Sequence, residues 1–177
     1  MDRTCGSCQL CCKLLPVKEL AKPSNKRCCY QKHHAGCTIY PDRPPSCRLW
    51  SCQWLTNPDT ATMRRPDRCH YVIDPIPDFV RYRPEDGIGD EYVMAVVQIW
   101  IDPDFPDAHH DPGLRAFLER LADKKNMAAL IRTNERDAFS LFAPAITGAG
   151  WIELTGLSEK EHTVAEIHEM LFEASHD

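Results

Sequence analysis

Nine of the ten cysteines in this chain fall within its first 52 residues, and four of them stand in the run CGSCQLCC at positions 5 to 12. The spacing C-x2-C-x2-C-C sets successive thiols one short turn apart, so that they can wrap a single inorganic centre. Thiolates are soft donors that select Zn²⁺, Cu(I) and iron–sulfur clusters over harder ions. The C-x2-C-x2-C part favours a [4Fe–4S] cube. The doublet Cys11–Cys12 pulls toward another solution. Adjacent side chains point in different directions in any regular structure, so one thiol is expected at a first centre and the other at a second. Eight thiols then make two tetrahedral four-sulfur sites, or one cluster with supporting thiols. Zinc satisfies either half without redox chemistry.

Other reactive side chains carry weaker signals. Cys69 is a lone cysteine and is expected to be a small buried hydrophobe. His33 and His34 lie close to Cys37 and could ligate zinc, but with eight thiols available they are expected on a loop surface. His109 and His110 are flanked by Asp107 and Asp111 and could take a metal ion with those carboxylates; their proline-rich surroundings predict a polar loop. His70 is expected to be packed rather than ligating. Trp50 and Trp54 are expected either to cover the sulfur site and exclude water from it or to serve as ordinary core. Asp102, Asp104 and Asp107 do not make a calcium loop, because prolines interrupt them and the required Gly and Glu positions are missing. There is no G-x-S-x-G, no phosphate-cradling glycine loop and no dinucleotide fingerprint.

Charge is unevenly distributed. Residues 1–70 carry twelve Lys/Arg against five Asp/Glu, and residues 71–177 carry nine against twenty-one. A basic, cysteine-rich segment suggests nucleic acid. Metal binding, however, deprotonates its thiols. Two ions, each held by four thiolates, would reduce the excess of seven positive charges to about three. The acidic remainder argues further against nucleic acid and leaves a protein partner as the macromolecule such a surface could meet. The 177 residues suit one domain, or a cysteine module joined to an ordinary one. No apolar run approaches the roughly 20 residues of a membrane helix. The start MDRTCGSC has no apolar h-region, which predicts a cytoplasmic protein whose thiols stay reduced.

The elements that must position these residues read as α+β. Residues 1–56 form the cysteine-rich module and residues 57–177 an α+β region packed against it, a small β-sheet with two or more helices. Cys37 to Tyr40 is expected as a short strand. SCRLWSCQWL (46–55) has helical potential, with Cys47, Trp50 and Trp54 on one face. Residues 56–67 look like a linker or exposed loop. Strands are expected at 69–74 and 79–83. YVMAVVQIWI (92–101) is expected as a central strand buried on both faces. Asp111 should cap a helix with Pro112 at its first position and Leu114, Phe117, Leu118 and Leu121 as its core-facing stripe. MAALIRT and AFSLFAP read as further strands. Ser158 and Glu161 make a capping box for a last helix with Val164, Ile167 and Leu171 inward.

The cysteine pattern, taken with its framing residues, resembles the YkgJ-type cysteine-cluster family, described as zinc- or iron-chelating. That pattern runs C-x2-C-x2-C-C, a single cysteine, a GC-x-IY strand, RP-x2-CR and a closing cysteine. The matching ligand positions are Cys5, Cys8, Cys11, Cys12, Cys28, Cys37, Cys47 and Cys52. Gly36, Ile39, Tyr40, Arg43, Pro44 and Arg48 match the rest. The likeness spans residues 5–54. It implies a metal-dependent accessory or binding protein holding Zn²⁺ or iron, the latter as a [4Fe–4S] cluster. Relatives include the flagellin lysine N-methylase, so an iron–sulfur enzyme of redox or methyl-transfer type is the alternative it implies. Where the family has one fifth cysteine this chain has two; Cys28 is favoured over Cys29 because Tyr30 then fits the framing. Arg43 and Arg48 are expected to offset thiolate charge and to donate to sulfur.

Overall fold

The apolar run YVMAVVQIWI is the strand Tyr92–Ile101, and the rest of the structure is arranged about it. Successive side chains alternate between faces. Val97, Ile99 and Ile101 enter one buried cluster, while Val96 and Trp100 enter clusters on the other side. Burial on both faces explains why this strand lacks the polar alternation of a half-exposed one. The computed structural model describes residues 3–33, 35–82 and 92–155. The expected last helix, with Ser158, Glu161, Val164, Ile167 and Leu171, lies outside them.

In chain order the elements are α1 (Leu10–Leu14), a two-stranded hairpin of β1 (Gln31–Lys32) and β2 (Gly36–Cys37), then the short helices α2 (Pro45–Leu49), α3 (Gln53–Thr56) and α4 (Pro66–Cys69). Next come β3 (Tyr71–Ile73), β4 (Asp78–Tyr82), β5 (Tyr92–Ile101), α5 (Pro112–Lys125), β6 (Ala128–Arg132), β7 (Ala138–Phe142), α6 (Pro144–Thr147) and β8 (Ile152–Thr155). The larger sheet runs β3-β5-β6-β7-β8, with β4 also paired to β5. β3 lies beside the end of β5, with Tyr71 opposite Ile101, and β4 lies beside its start, with Phe79 opposite Ala95. The two are one interrupted edge strand, broken where Pro75 and Pro77 cannot donate to a ladder. The fold is mixed α+β.

Among the described strands only β5 and β6 pair in parallel, and a parallel pair needs a crossover. α5 supplies it. The Asp111 carboxylate accepts from Leu114 N at 3.0 Å, Pro112 occupies the first turn, and Asn126 ends the helix in the left-handed region. Leu114, Phe117, Leu118 and Leu121 are buried against β5, β6 and β7 as their spacing predicts. Each contributes roughly 1.5–3 kcal/mol by burial.

The opposite face of the sheet carries the cysteines. Val72 and Trp100 point away from α5 and pack against Cys8, Leu10, Leu14 and Cys52. Polar ties bind the same segment to the sheet. Lys13 bridges Asp102 and Asp104, each at 2.6 Å. Asn25 donates to Thr133 O at 2.6 Å, and Ser24 N to Glu135 at 2.6 Å. The Arg3 guanidinium donates to the carbonyls of Trp54, Thr60 and Ala61.

Four local expectations are corrected. The strand expected at Cys37–Tyr40 ends at Cys37, because Tyr40 opens a 3-10 turn through Pro41. SCRLWSCQWL is two helices, not one. Trp50 turns extended (ψ 132°) and ends α2, and its indole donates to the buried Asp74 at 3.0 Å. Residues 56–67 are not a linker: Thr60 and Met63 are buried, and Trp54 Nε1 donates to Met63 O. Cys69 closes α4 rather than opening a strand, and His70 takes the left-handed conformation (φ 65°) before β3 begins at Tyr71.

Candidate metal centre

The turn that starts the cysteine run is tight. Cys8 N–H donates to Cys5 O at 2.9 Å, and the Cys5 thiol donates to Cys8 O at 3.3 Å. Gly6 turns at φ 49°, where a side chain would be strained. α1 follows at once. Leu10 and Leu14, four apart, share the face laid on the sheet; Cys11 packs at the margin of that contact, and Cys12 falls on the opposite side of the helix.

Three further segments are drawn to this turn. Buried Gln9 holds the hairpin: its Nε2 donates to Lys32 O at 2.5 Å and Gly36 O at 3.1 Å, and its Oε1 accepts from Gln31 at 2.7 Å. Gly36 (φ 86°) faces the Gly6 carbonyl, and beside it stands Cys37. Cys28 N–H donates to Cys12 O at 3.1 Å. Cys29 points outward and is exposed. Cys47 rides on α2, whose first turn is held by Glu19; the carboxylate accepts from Ser46 N at 3.0 Å and Ser46 Oγ at 2.7 Å. Cys52 stands just before α3 and is buried with Cys8 beneath Trp50 and Trp54. The indoles of Trp50 and Trp100 both donate to Asp74, at 3.0 and 3.2 Å, so the aromatic cover is fixed in orientation.

All ten thiols are free of disulfides, and the eight candidates influence one another as one connected set, in which Cys5 also acts on Cys12 and the exposed Cys29 on Cys28. Cys52 feels Cys8 and Cys5, Cys8 feels Cys5, and Cys5 meets Cys11. Cys47 feels Cys12 and Cys28, and Cys28 feels Cys12 and Cys37. The Cys11–Cys12 doublet joins these two runs. The Cys11 thiol lies between those of Cys5 and Cys12 and interacts with both. That holds Cys11 protonated well above the ordinary range, lowers Cys5 to about 7, and lowers Cys12. Burial raises the others: Cys52 to about 11, and Cys8, Cys28 and Cys47 in the same direction.

Cations face this sulfur. Arg43 acts on Cys5 and Cys12, and Arg65 on Cys5 and Cys8. Lys22 is buried; its Nζ donates to the carbonyls of Lys13 (3.1 Å), Leu15 and Pro23 (3.1 Å). Burial draws its pKa down, and Cys28, Cys12 and the Glu135 carboxylate hold it up. Of the two arginines expected near sulfur, Arg43 is there, stacked on Tyr40 with its guanidinium carbon 3.8 Å from the ring centroid; Arg48 is exposed. Lys22, Arg65 and Gln9 were not foreseen. Nothing in the spacing of AKPSNKR marks Lys22 as buried, and Arg65 lies in a stretch that reads as a loop.

Among the described residues no three cysteine sulfurs lie all within 4.8 Å of one another. A tetrahedral zinc ion holds its sulfurs about 3.8 Å apart, so loading would draw the thiols inward. The donor set itself fits a soft centre: thiols from four chain segments, an aromatic cover on one side and cations on the other. The remaining candidates fall elsewhere. His33 is exposed and His34 lies outside the described residues. His70 stacks on Phe105 with centroids 3.5 Å apart. Cys69 is buried in the α5 core. His109, expected in a polar loop, is buried in a 3-10 turn.

Comparison with protein-family models, with curated proteins and with solved structures finds no match for this chain. No helix among the described residues is long and apolar enough to cross a membrane.

Proposed function

We propose that this chain is a metal-dependent accessory or binding protein of YkgJ type, holding zinc or iron through Cys5, Cys8, Cys11, Cys12, Cys28, Cys37, Cys47 and Cys52. One observation carries the reading. Eight free thiols from four segments lie around one short helix, and a buried lysine stands beside them with its three protons given only to carbonyls. A buried ammonium is costly unless anions offset it; the Glu135 carboxylate supplies part of that offset, and Cys12 and Cys28, as metal-bound thiolates, would supply the rest. Each four-thiolate zinc ion is net −2, and Lys22, Arg43 and Arg65, the last also paired with Asp67, would offset part of the charge of two such ions.

The neighbours of each thiol are compatible with two four-sulfur centres, Cys5, Cys8, Cys11 and Cys52 at the sheet and Cys12, Cys28, Cys37 and Cys47 at the hairpin, with Cys5 also acting across them on Cys12. The metal would supply local folding energy and, as an iron–sulfur cluster, electron storage. The acidic second half of the chain is the surface offered to a protein partner.

The test is elemental analysis and absorption of anaerobically purified protein, for wild type and two variants. Colourless protein with about two zinc ions per chain fits the two-centre form; brown protein with iron and sulfide fits the cluster form and opens the enzymatic alternative. Cys52→Ser and Cys47→Ser should each lose one centre and keep the other. Full metal content in both variants, or no bound metal in wild type, overturns the proposal.

A further inference from the structure

A second cluster of metal-ligating side chains lies apart from the sulfur, where the turn before α5 meets the edge strand β8. His109 is buried, and its Nδ1 lies 2.9 Å from Pro106 O. A carbonyl only accepts, so Nδ1 carries the hydrogen. In the neutral ring Nε2 then presents its lone pair to Glu153 Oε1, 3.0 Å away. Two lone pairs at that distance repel unless a proton or a metal ion lies between them; the Arg115 guanidinium beside Glu153 Oε1 relieves part of that repulsion. His110 brings a second imidazole to the same point, with Nε2 3.5 Å from the same carboxylate oxygen. The two ring centroids are 4.0 Å apart and tilted by 52°. The donor atoms of all three residues lie within 4.8 Å of one another.

The two spacings to Glu153 Oε1, 3.0 and 3.5 Å, are close to those of ligands around one ion. Donors about 2.0–2.1 Å from a divalent metal, set at angles between 90° and tetrahedral, are separated by about 2.9–3.4 Å. The surroundings are those of a supported ligand set. Pro106 O fixes the His109 tautomer, and Arg115 ties the His109 backbone to Glu153, donating Nε to His109 O at 2.9 Å and Nη2 to Glu153 Oε1 at 3.3 Å. Arg115 is itself stacked over Trp151, 4.3 Å from its ring centroid. Ligating histidines and carboxylates are held by such outer hydrogen bonds.

We propose that His109, His110 and Glu153 form a second, nitrogen- and oxygen-donor metal site for a borderline divalent ion of the zinc type. Three protein ligands leave a coordination position for water or a small exogenous ligand. Imidazole and carboxylate donors distinguish it from the all-sulfur centre, which prefers softer ions. The site stands or falls independently of the cysteine reading.

The experiment titrates the full chain anaerobically with Co²⁺ and follows visible absorption, for wild type, His110→Ala and Glu153→Gln. Both substituted side chains are about half exposed, 57% and 42%, so both variants should fold, with melting temperature as the check. Cobalt on sulfur gives intense charge-transfer bands; cobalt on imidazole and carboxylate gives only weak visible bands. Wild type is expected to bind one more Co²⁺ per chain than either variant. The difference should lie in the weak bands alone and be competed by Zn²⁺, with affinity in the variants at least about ten-fold lower. Equal Co²⁺ stoichiometry and affinity in all three proteins would overturn the site and leave an imidazolium–carboxylate ion pair in its place.

Discussion

Replacing Lys22 with methionine separates a merely packed lysine from one that balances bound thiolates. Lys22 is 7% exposed, and its ammonium fills a nest of three carbonyls, those of Lys13, Leu15 and Pro23. Methionine keeps most of the apolar stem but donates nothing. Each carbonyl left without a donor costs roughly 1–3 kcal/mol, while relief of the buried charge returns part of that sum. The net expectation is a loss of about 2–4 kcal/mol in folding stability. A separate effect falls on the metal. Removing an outer-shell partner lowers affinity about ten- to a hundred-fold, equivalent to about 1.4–2.8 kcal/mol. Chelator competition reads the second effect and urea unfolding the first. Lys18→Met, an exposed lysine on the neighbouring turn, is the control and should change neither. If Lys22→Met binds metal as tightly as Lys18→Met, the lysine does not offset thiolate charge and the electrostatic argument fails.

Two further outcomes follow from the α5 core. Burial pushes the Cys69 thiol up to about 12 from an ordinary 9 and raises Tyr71 in the same direction. Above pH 9 the unfolded chain therefore releases these protons first, so stability should fall as pH rises from about 9 toward 12. At pH 10.5 the Cys69 share is on the order of 2 kcal/mol. Cys69→Ala should flatten that decline in a pH series of urea melts; an unchanged slope would contradict the burial argument. Asp111→Ala removes the α5 cap and the acceptor of Tyr71 OH at 3.1 Å. A lost cap costs about 1 kcal/mol and an orphaned buried hydroxyl about 1–3 kcal/mol. Urea unfolding should therefore show a loss of about 2–4 kcal/mol, and a change under 0.5 kcal/mol would show that neither bond contributes.

Where one physical term dominates, the sequence is readable here. The run at 92–101 is apolar on both faces, so nothing competes with a central strand. The Asp111-Pro112 start and the Leu114, Phe117, Leu118, Leu121 stripe agree with each other, and α5 forms as they indicate. The cysteine positions are equally plain, because thiol spacing is local. What was not legible is long-range. SCRLWSCQWL has helical spacing throughout, but Trp50 leaves the helix to reach a carboxylate 24 residues away. The polar stretch 56–67 reads as exposed because its partners, Arg3 and the α5 core, lie far off in the chain. Glu153 gives no hint in sequence that it meets His109, since the contact spans 44 residues.

The placement of the doublet bears on how the two proposed sulfur centres would fill. α1 has five residues, far below the length at which a helix is stable alone in water. It is held from one side by Leu10 and Leu14 on Val72 and Trp100, and its remaining side chains include Cys11 and Cys12. On the proposed assignment each cysteine belongs to a different centre, so an ion at either site fixes the helix that the other site needs. The ordering cost is met by whichever ion binds first, and the second binds to a helix already in place. Filling should therefore be positively coupled, and Leu14→Ala, which loosens α1 without removing a thiol, should weaken the first ion more than the second.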